Sequence, residues 1–347
     1  MLGFLQKWES YDFGPRAGFS MIPRLADLPT PPRNKSGWPW TEETPQLPAS
    51  MHDGTRWPLV SIVTPSYNQG QYIEETIRSV LLQGYPNLEY IIIDGGSSDQ
   101  TAEIVKKYER WLTYWLSEPD RGQADAINKG FSRSTGRILN WLNSDDFLER
   151  NALARMAMAF AAADDDVGAV VGNGHWINTN GEINRFKLPS EISRDTFLRF
   201  SWDAGVGFHQ PACFFTRDAW EFGGPLSSDL RYCMDTALWI KITERFRIQL
   251  LPELIAYAHR HPTAKTVGEW PYVKGEVALL LATLPDGFGR ATEVMNELIR
   301  QELAAQSLLV LGNRTLRRLA RAVGLGRVRR AVQRLPRMMG IRSENAK

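Results

Sequence analysis

Hydrophobic and polar positions change rhythm once, at Leu59. Residues 1–57 show no long periodic pattern and hold 8 of the chain's 20 prolines. Proline fixes φ and removes a backbone donor, so this segment is expected to be an extended arm. From Val60 to Thr64 the chain is β-rich, and the run stops at Pro65. Residues 70–82 follow with Ile73, Ile77, Val80 and Leu81 at helical spacing. Tyr90–Ile93 is a continuous apolar run, the mark of a parallel strand covered on both faces. Ser97-x-x-Gln100 predicts a capping box for a helix over 98–109. Further on, the pattern predicts strands at 112–116, 138–142 and 167–171, alternating with helices at 121–133 and 149–162. After Gly172 the rhythm is irregular until a predicted helix at 234–245 and a strand near 247–251, and from 268 the chain reads helical. Strands alternating with helices predict an α/β fold, a mostly parallel central sheet flanked by helices.

The arm carries Trp8, Trp38, Trp40 and Trp57, too many large aromatics for a free linker, so it is expected to pack on the body with some of them buried. Net charge changes the picture only when it is divided. Residues 313–347 contain ten Arg, one Lys and one Glu, so the overall +2 leaves −8 on the first 312 residues. Within 313–342, apolar residues recur at helical spacing with arginines between them. This basic amphipathic pattern fits a helix on an anionic membrane surface; the alternative is a helix packed on the acidic body. No nucleic-acid-binding pattern accompanies it. Nothing approaches the ~20 apolar residues that span a bilayer. The N-terminus lacks the pattern of a signal peptide. Cys213 and Cys233 are too few for a disulfide framework and read as core, so a cytoplasmic location, peripheral on the membrane's inner face if the tail binds lipid, is expected.

In open α/β sheets, ligands sit beyond the carboxyl ends of the strands. The first four predicted strands are followed by Thr64-Pro65-Ser66-Tyr67-Asn68, by Asp94-Gly95-Gly96-Ser97-Ser98-Asp99, by Ser117 to Gln123, and by Asn143-Ser144-Asp145-Asp146. Turn and cap chemistry alone explains any one of these clusters. Four on one sheet edge favour a site. There is no G-x-G-x-x-G after a strand and no G-x-x-x-x-G-K-[ST], which disfavours dinucleotide oxidoreductases and P-loop NTPases. The carboxylates suit Mg²⁺ or Mn²⁺ bridging to substrate phosphates, as in a nucleoside diphosphate leaving group.

The stretch Val60–Asp146 resembles the family 2 glycosyltransferases in the order, spacing and strand context of these clusters, including Ile93-Asp94-Gly95-Gly96-Ser97-Ser98-Asp99-Gln100-Thr101 and Ser117-Glu118-Pro119-Asp120-Arg121-Gly122-Gln123. The likeness continues more thinly through His209-Gln210-Pro211, Met234-Asp235 and His261 to Thr266. It implies the GT-A nucleotide-sugar-binding fold and an inverting, metal-dependent hexosyl transfer from a nucleotide-diphosphate sugar to a glycan or lipid-linked acceptor, in cell-surface polysaccharide or glycan assembly. Thr64, Pro65, Tyr67 and Asp94 would then hold nucleobase and ribose. Gln123, Asn143, Ser144 and Lys265 would complete the nucleotide-sugar site. Asp145 and His261 would hold Mn²⁺ or Mg²⁺. Asn143 stands where the family has the first acid of its Asp-x-Asp motif. Asp235 would be the catalytic base, although Met234 replaces an expected acid; its other reading is a helix cap. Asp146 would orient its loop or cap the next helix, and His209 and Gln210 would lie near the acceptor. The expected layout is an arm at 1–57, a glycosyltransferase domain at 58–266 with a nucleotide-sugar half (58–172) and an acceptor half (173–266), and a helical region at 267–347. A degenerate nucleotide-sugar-binding protein and a sugar nucleotidyltransferase remain the alternatives.

Overall fold

The computed structural model describes residues 22–198, 208–261, 264, 270–285, 287 and 289–296. Lys265, Trp8 and the basic segment 313–342 lie outside the described residues. Four parallel strands form the first half of one sheet: β1 (Val60–Ser66), β2 (Leu88–Asp94), β3 (Tyr114–Ser117) and β4 (Ile138–Trp141), in the order β3-β2-β1-β4. Every residue of β1 is buried, and every residue of β2 after Leu88, so both strands are covered on two faces; the polar residues they contain, such as Ser61 and Glu89, bond to each other across the pair. Helices α1 (Ile73–Leu81), α2 (Thr101–Tyr108) and α3 (Gln123–Arg133) supply the crossovers. A Cβ on Gly130 would come within 2.3 Å of Val63, so the missing side chain lets α3 lie directly on β1.

The second half is built from β5 (Asp146–Leu148), α4 (Ala152–Ala161), β6 (Val167–Asn178), β7 (Ile183–Arg185), α5 (Arg194–Leu198), β8 (Cys213–Thr216), α6 (Arg217–Gly223), α7 (Met234–Ile242), β9 (Arg247–Arg260) and α8 (Trp270–Ala282). The sheet continues β4-β8-β6-β9-β5, with β7 paired to β6. β8 is antiparallel to both neighbours, whereas β9 runs parallel to β6 and antiparallel to β5. The sheet is therefore more mixed than the alternating pattern alone predicts. It buries one apolar layer against α1, α2 and α4 and a second against α3, α6 and α7.

Two local expectations need correction. β6 and β9 run well past 171 and 251, because register shifts around Gly172, Asn173 and Gly174 break the period-2 pattern while the pairing continues to Asn178 and Arg260. The capping box at Ser97 does not form. Asp99 instead accepts from the Thr101 amide (3.0 Å) and hydroxyl (2.5 Å), and Ser97 turns back to Asp94.

Arg78 ties the arm to the body. This α1 side chain is fully buried and donates to the carbonyls of Pro29 (2.9 Å), Pro39 (3.1 Å) and Trp40 (2.8 Å). Proline-rich backbone cannot satisfy its carbonyls in a ladder, so a guanidinium with fixed, diverging donors suits the task. Trp40 and Trp57 are buried, and the Trp38 indole donates to the Leu148 carbonyl (2.8 Å). We expect Arg78→Met to remove about 3 kcal/mol of stability in urea unfolding, since several buried carbonyls lose their donor at once, and to expose residues 22–57 to proteolysis. Wild-type stability and protease resistance would show that the arm is held by its tryptophans alone.

Candidate functional site

The carboxyl ends of β1 and β2 are laced together by side chains of the loops that follow them. Asp94 is fully buried. It accepts from the Ser97 amide (2.9 Å), the Ser97 hydroxyl (2.5 Å) and the Ser117 hydroxyl (2.6 Å). Asp99 accepts from the Gly70 amide (2.9 Å), and the Asn68 side chain accepts from the Ser98 amide (2.9 Å). Asn68 adopts φ 53°, a left-handed conformation that Asn tolerates better than most residues. Much of the acidity of this edge thus satisfies backbone donors. Thr64 bonds the Tyr90 hydroxyl (3.1 Å), Pro65 is buried, and Tyr67 is 62% exposed beyond them.

The end of β4 carries a different arrangement. The Gln123 side chain, at the start of α3, donates to Asn143 Oδ1 (2.7 Å). Asn143 donates in turn to Asp146 (3.1 Å) and to Gln210 (3.5 Å), and Gln210 donates to the Trp141 carbonyl (2.8 Å). Thr76 donates its hydroxyl to the carbonyls of Ser144 (3.0 Å) and Asp146 (2.7 Å), fixing the turn from below. Asp146 begins β5 and is buried; burial first, and the neighbouring Asp145 charge second, push its carboxyl well above the usual carboxylate range.

Asp145 points the other way. Its Oδ2 lies 3.0 Å from His261 Nε2, and its carbonyl lies 2.6 Å from His259 Nδ1. Tyr72 stacks on the His261 ring at 4.6 Å. The pairing of β5 with β9 makes this junction, because it sets Asp146 opposite Ala258. A carboxylate beside an imidazole is a donor set that fits Mn²⁺ or Mg²⁺, with further oxygens to come from a bound phosphate. Among the described residues no group of three or more His, Cys, Asp or Glu could hold a metal ion without such help.

Asp235 lies in the first turn of α7. Trp239, one helical turn on, stacks on Trp141 at 5.6 Å and 5°, so α7 is docked where β4 runs into Asn143. Burial raises the Asp235 pKa, partly offset by bonds from Thr236 and increased by the charge of Glu276. Glu276, on α8, was not singled out by sequence reasoning. Its carboxylate accepts from the amides of Arg231 (2.7 Å), Tyr232 (2.5 Å) and Cys233 (2.8 Å), capping the start of α7. A lone acid within the apolar run Val273–Leu281 was the available signal. Cys213 and Cys233 are buried, as core residues are.

The structure thus gathers Gln123 and Asn143 with Asp146 and Gln210, and joins Asp145 to His261. Asp94 and Ser144 are enclosed in their own turns. The residues around this edge fit known proteins. The profile of glycosyl transferase family 2 matches residues 61–221. An uncharacterized glycosyltransferase of Rickettsia typhi is 37% identical over 223 residues, which are 62% of this chain and 68% of that protein. The putative teichuronic acid biosynthesis glycosyltransferase TuaG of Bacillus subtilis is 43% identical over 106 residues, 29% of this chain and 42% of TuaG. The chain spans about half the length of the first such relatives, 42% and 55%. Among solved structures, the mannosyltransferase PcManGT of Pyrobaculum calidifontis, in complex with GDP-Man and Mn²⁺, has the same fold at TM-score 0.51 and 19% identity, over 85% of this chain and 91% of that one. No described helix is long and apolar enough to cross a membrane.

Removing the Glu276 charge should lower the Asp235 pKa. Glu276→Gln is expected to move the Asp235 carboxyl titration, read by ¹³C NMR, to lower pH. An unmoved titration would mean that burial alone sets it.

Proposed function

Because the chain belongs to glycosyl transferase family 2, we propose that it transfers a sugar from a nucleotide-diphosphate sugar to an acceptor hydroxyl in cell-surface polysaccharide assembly, with inversion at the anomeric carbon. The observation that carries this reading is the junction of Asp145 with His261, 116 residues apart and 3.0 Å from each other, at the carboxyl edge of the parallel strands. Tyr67, exposed at the end of β1, offers a ring on which a nucleobase stacks. The Gln123–Asn143 pair offers amide groups to the ribose and sugar hydroxyls. Asn143 contributes no charge where the family has an acid, so in that turn the anionic donor meets Asp145 as the one partly exposed carboxylate, Asp146 being buried.

Asp145 and His261 would hold the divalent ion, which when bound stabilises negative charge on the departing diphosphate. On the other side, Asp235 takes the acceptor hydroxyl proton as the oxygen attacks. Its raised pKa makes it a stronger base than a solvated carboxylate, and the work is done only above that pKa. Inversion needs no protein nucleophile, and the cysteines have no part in the chemistry: burial pushes both thiols up. The membrane-facing role of the basic segment 313–342 and a phosphate contact from Lys265 belong to this proposal as well.

The test is incubation with a panel of nucleotide sugars and Mn²⁺, read as free nucleoside diphosphate with and without glycan acceptors; binding of a donor without any turnover across the panel would favour the degenerate binding protein. Asp235→Asn is expected to keep donor affinity and to lose about 10²–10⁴-fold in turnover; near-normal turnover would place the base elsewhere. Asp145→Asn is expected to weaken Mn²⁺ binding by at least tenfold in calorimetry, and unchanged binding would remove Asp145 from the metal site.

A further inference from the structure

A chain of contacts runs from the proline-rich arm to the Asp145 turn, and the proposed chemistry does not use it. It starts at Trp40, which is buried, with Lys35 Nζ 5.2 Å and the Arg78 guanidinium 5.5 Å from its ring centroid. Held in this way, the indole donates to Glu75 Oε1 (3.2 Å). Glu75 stands in the first turn of α1, one residue before Thr76, and its side chain is only 15% exposed. A carboxylate so enclosed needs polar partners. Its Oε1 has the indole. Its Oε2 faces His259 Nε2 at 3.8 Å, a polar contact looser than a hydrogen bond.

His259, on β9, carries the contact onward. Its Nδ1 lies 2.6 Å from the Asp145 carbonyl, and because a carbonyl only accepts, Nδ1 carries a proton. The His259 amide donates to Asp146 Oδ1 (3.3 Å), and the Phe147 ring lies against the imidazole, 5.4 Å between centroids. His259 is therefore tied to three successive residues of the turn, and Glu75 closes the far end of its ring. What this arrangement fixes is the Asp145 backbone. The Thr76 hydroxyl holds the carbonyls of Ser144 and Asp146. The carbonyl between them, that of Asp145, is reached from α1 through Glu75 and His259. With its carbonyl pinned, Asp145 presents its carboxylate to His261 Nε2 at 3.0 Å. A His259 ring that rotates away releases the carbonyl, and the peptide can then turn the carboxylate off His261.

We propose that Glu75 is a positioning residue for the Asp145–His261 pair, acting through His259, and that the proline-rich arm belongs to this site because its Trp40 indole holds Glu75. This rests on the reading of Asp145 and His261 as the metal-holding pair and deepens it by giving the arm a part in metal affinity. Groups that orient a metal ligand from behind change the affinity about 10–100-fold when they are removed. Glu74, the other acid of the same helical turn, accepts instead from the Tyr108 hydroxyl (2.7 Å), so the two neighbouring carboxylates have separate tasks. Trp57, also buried in the arm, donates to the Pro48 carbonyl (2.9 Å) and packs on Tyr85, and takes no part in this chain of contacts. It supplies the control.

The test uses the full chain at one fixed pH and has two readouts. The first is Mn²⁺ affinity, by calorimetry in the presence of saturating UDP or GDP. The second is the His259 Nδ1–H proton of the metal-free protein, by ¹⁵N-histidine NMR, identified by its loss in His259→Gln. Glu75→Ala removes the charge and both contacts. Glu75→Gln removes the charge alone, because its amide still accepts from Trp40 and still reaches His259. Any long-range pull of the Glu75 charge on the ion is lost equally in both variants, so the difference between them reads positioning. Glu75→Ala is expected to weaken Mn²⁺ binding about tenfold and to let the Nδ1–H proton exchange with water, and Glu75→Gln to restore both to near wild type. Trp40→Phe is expected to weaken Mn²⁺ binding about threefold, as loss of one hydrogen bond requires. Trp57→Phe is expected to lower stability and leave both readouts unchanged. Equal Mn²⁺ affinities in Glu75→Gln and Glu75→Ala, or in Trp40→Phe and Trp57→Phe, overturn the proposal. An Nδ1–H signal that is absent from the wild type, or that persists unchanged in Glu75→Ala, does so too. A wild type that binds no Mn²⁺ removes the metal reading, and the Nδ1–H signal then decides the positioning by itself.

Discussion

The loops that leave the ends of parallel strands carry backbone amides with no ladder partner, and buried amides must be hydrogen-bonded. That constraint governs the carboxyl edge of this sheet. Asp94 answers it for the Ser97 turn, Asp99 for Gly70 and Thr101, and Asp125 for the Arg121 amide. Once these acids are committed to their loops, the edge becomes a rigid rim. Asp145 instead meets His261 through its carboxylate and His259 through its carbonyl, and its side chain stays partly exposed. Much of the acidity of the rim is thus architectural.

That turn is held from several directions. Thr76 fixes its carbonyls from α1, β9 pairs with β5 just beyond it, and Gln123 reaches it from α3. The same α1 carries Arg78, which secures the proline-rich arm. The arm therefore braces the helix that supports the Asp145 turn. On the opposite layer, α7 is set by the Trp141–Trp239 stack and capped by Glu276 from α8. In the proposed reaction the donor side and the acceptor side are thus positioned by different layers of the sheet.

The irregular region after Gly172 acquires a role in this arrangement. β6 leaves the core through a bulge and carries Trp176 out toward solvent beside His209. A bulge that re-aims a side chain at a sheet rim is a common device next to ligand sites.

The sequence by itself determined the alternation of strands and helices from Val60 to Ala161 and the clustering of acids at the strand ends, because both are local: apolar runs and turn residues act within a few positions of one another. It also marked Asn143, Asp145, Asp235 and His261, through spacing shared with a known family. Tertiary structure alone decided which acids are spent on backbone amides and which meet an imidazole, since Asp94 and Asp145 look alike until their partners are placed. It alone decided that Asp145 meets His261, that Glu276 caps α7, and that Trp176 stacks on His209 and Arg260. These contacts depend on strand register carried across bulges and on chain segments tens of residues apart, and a period-2 or period-3.6 pattern contains no record of either.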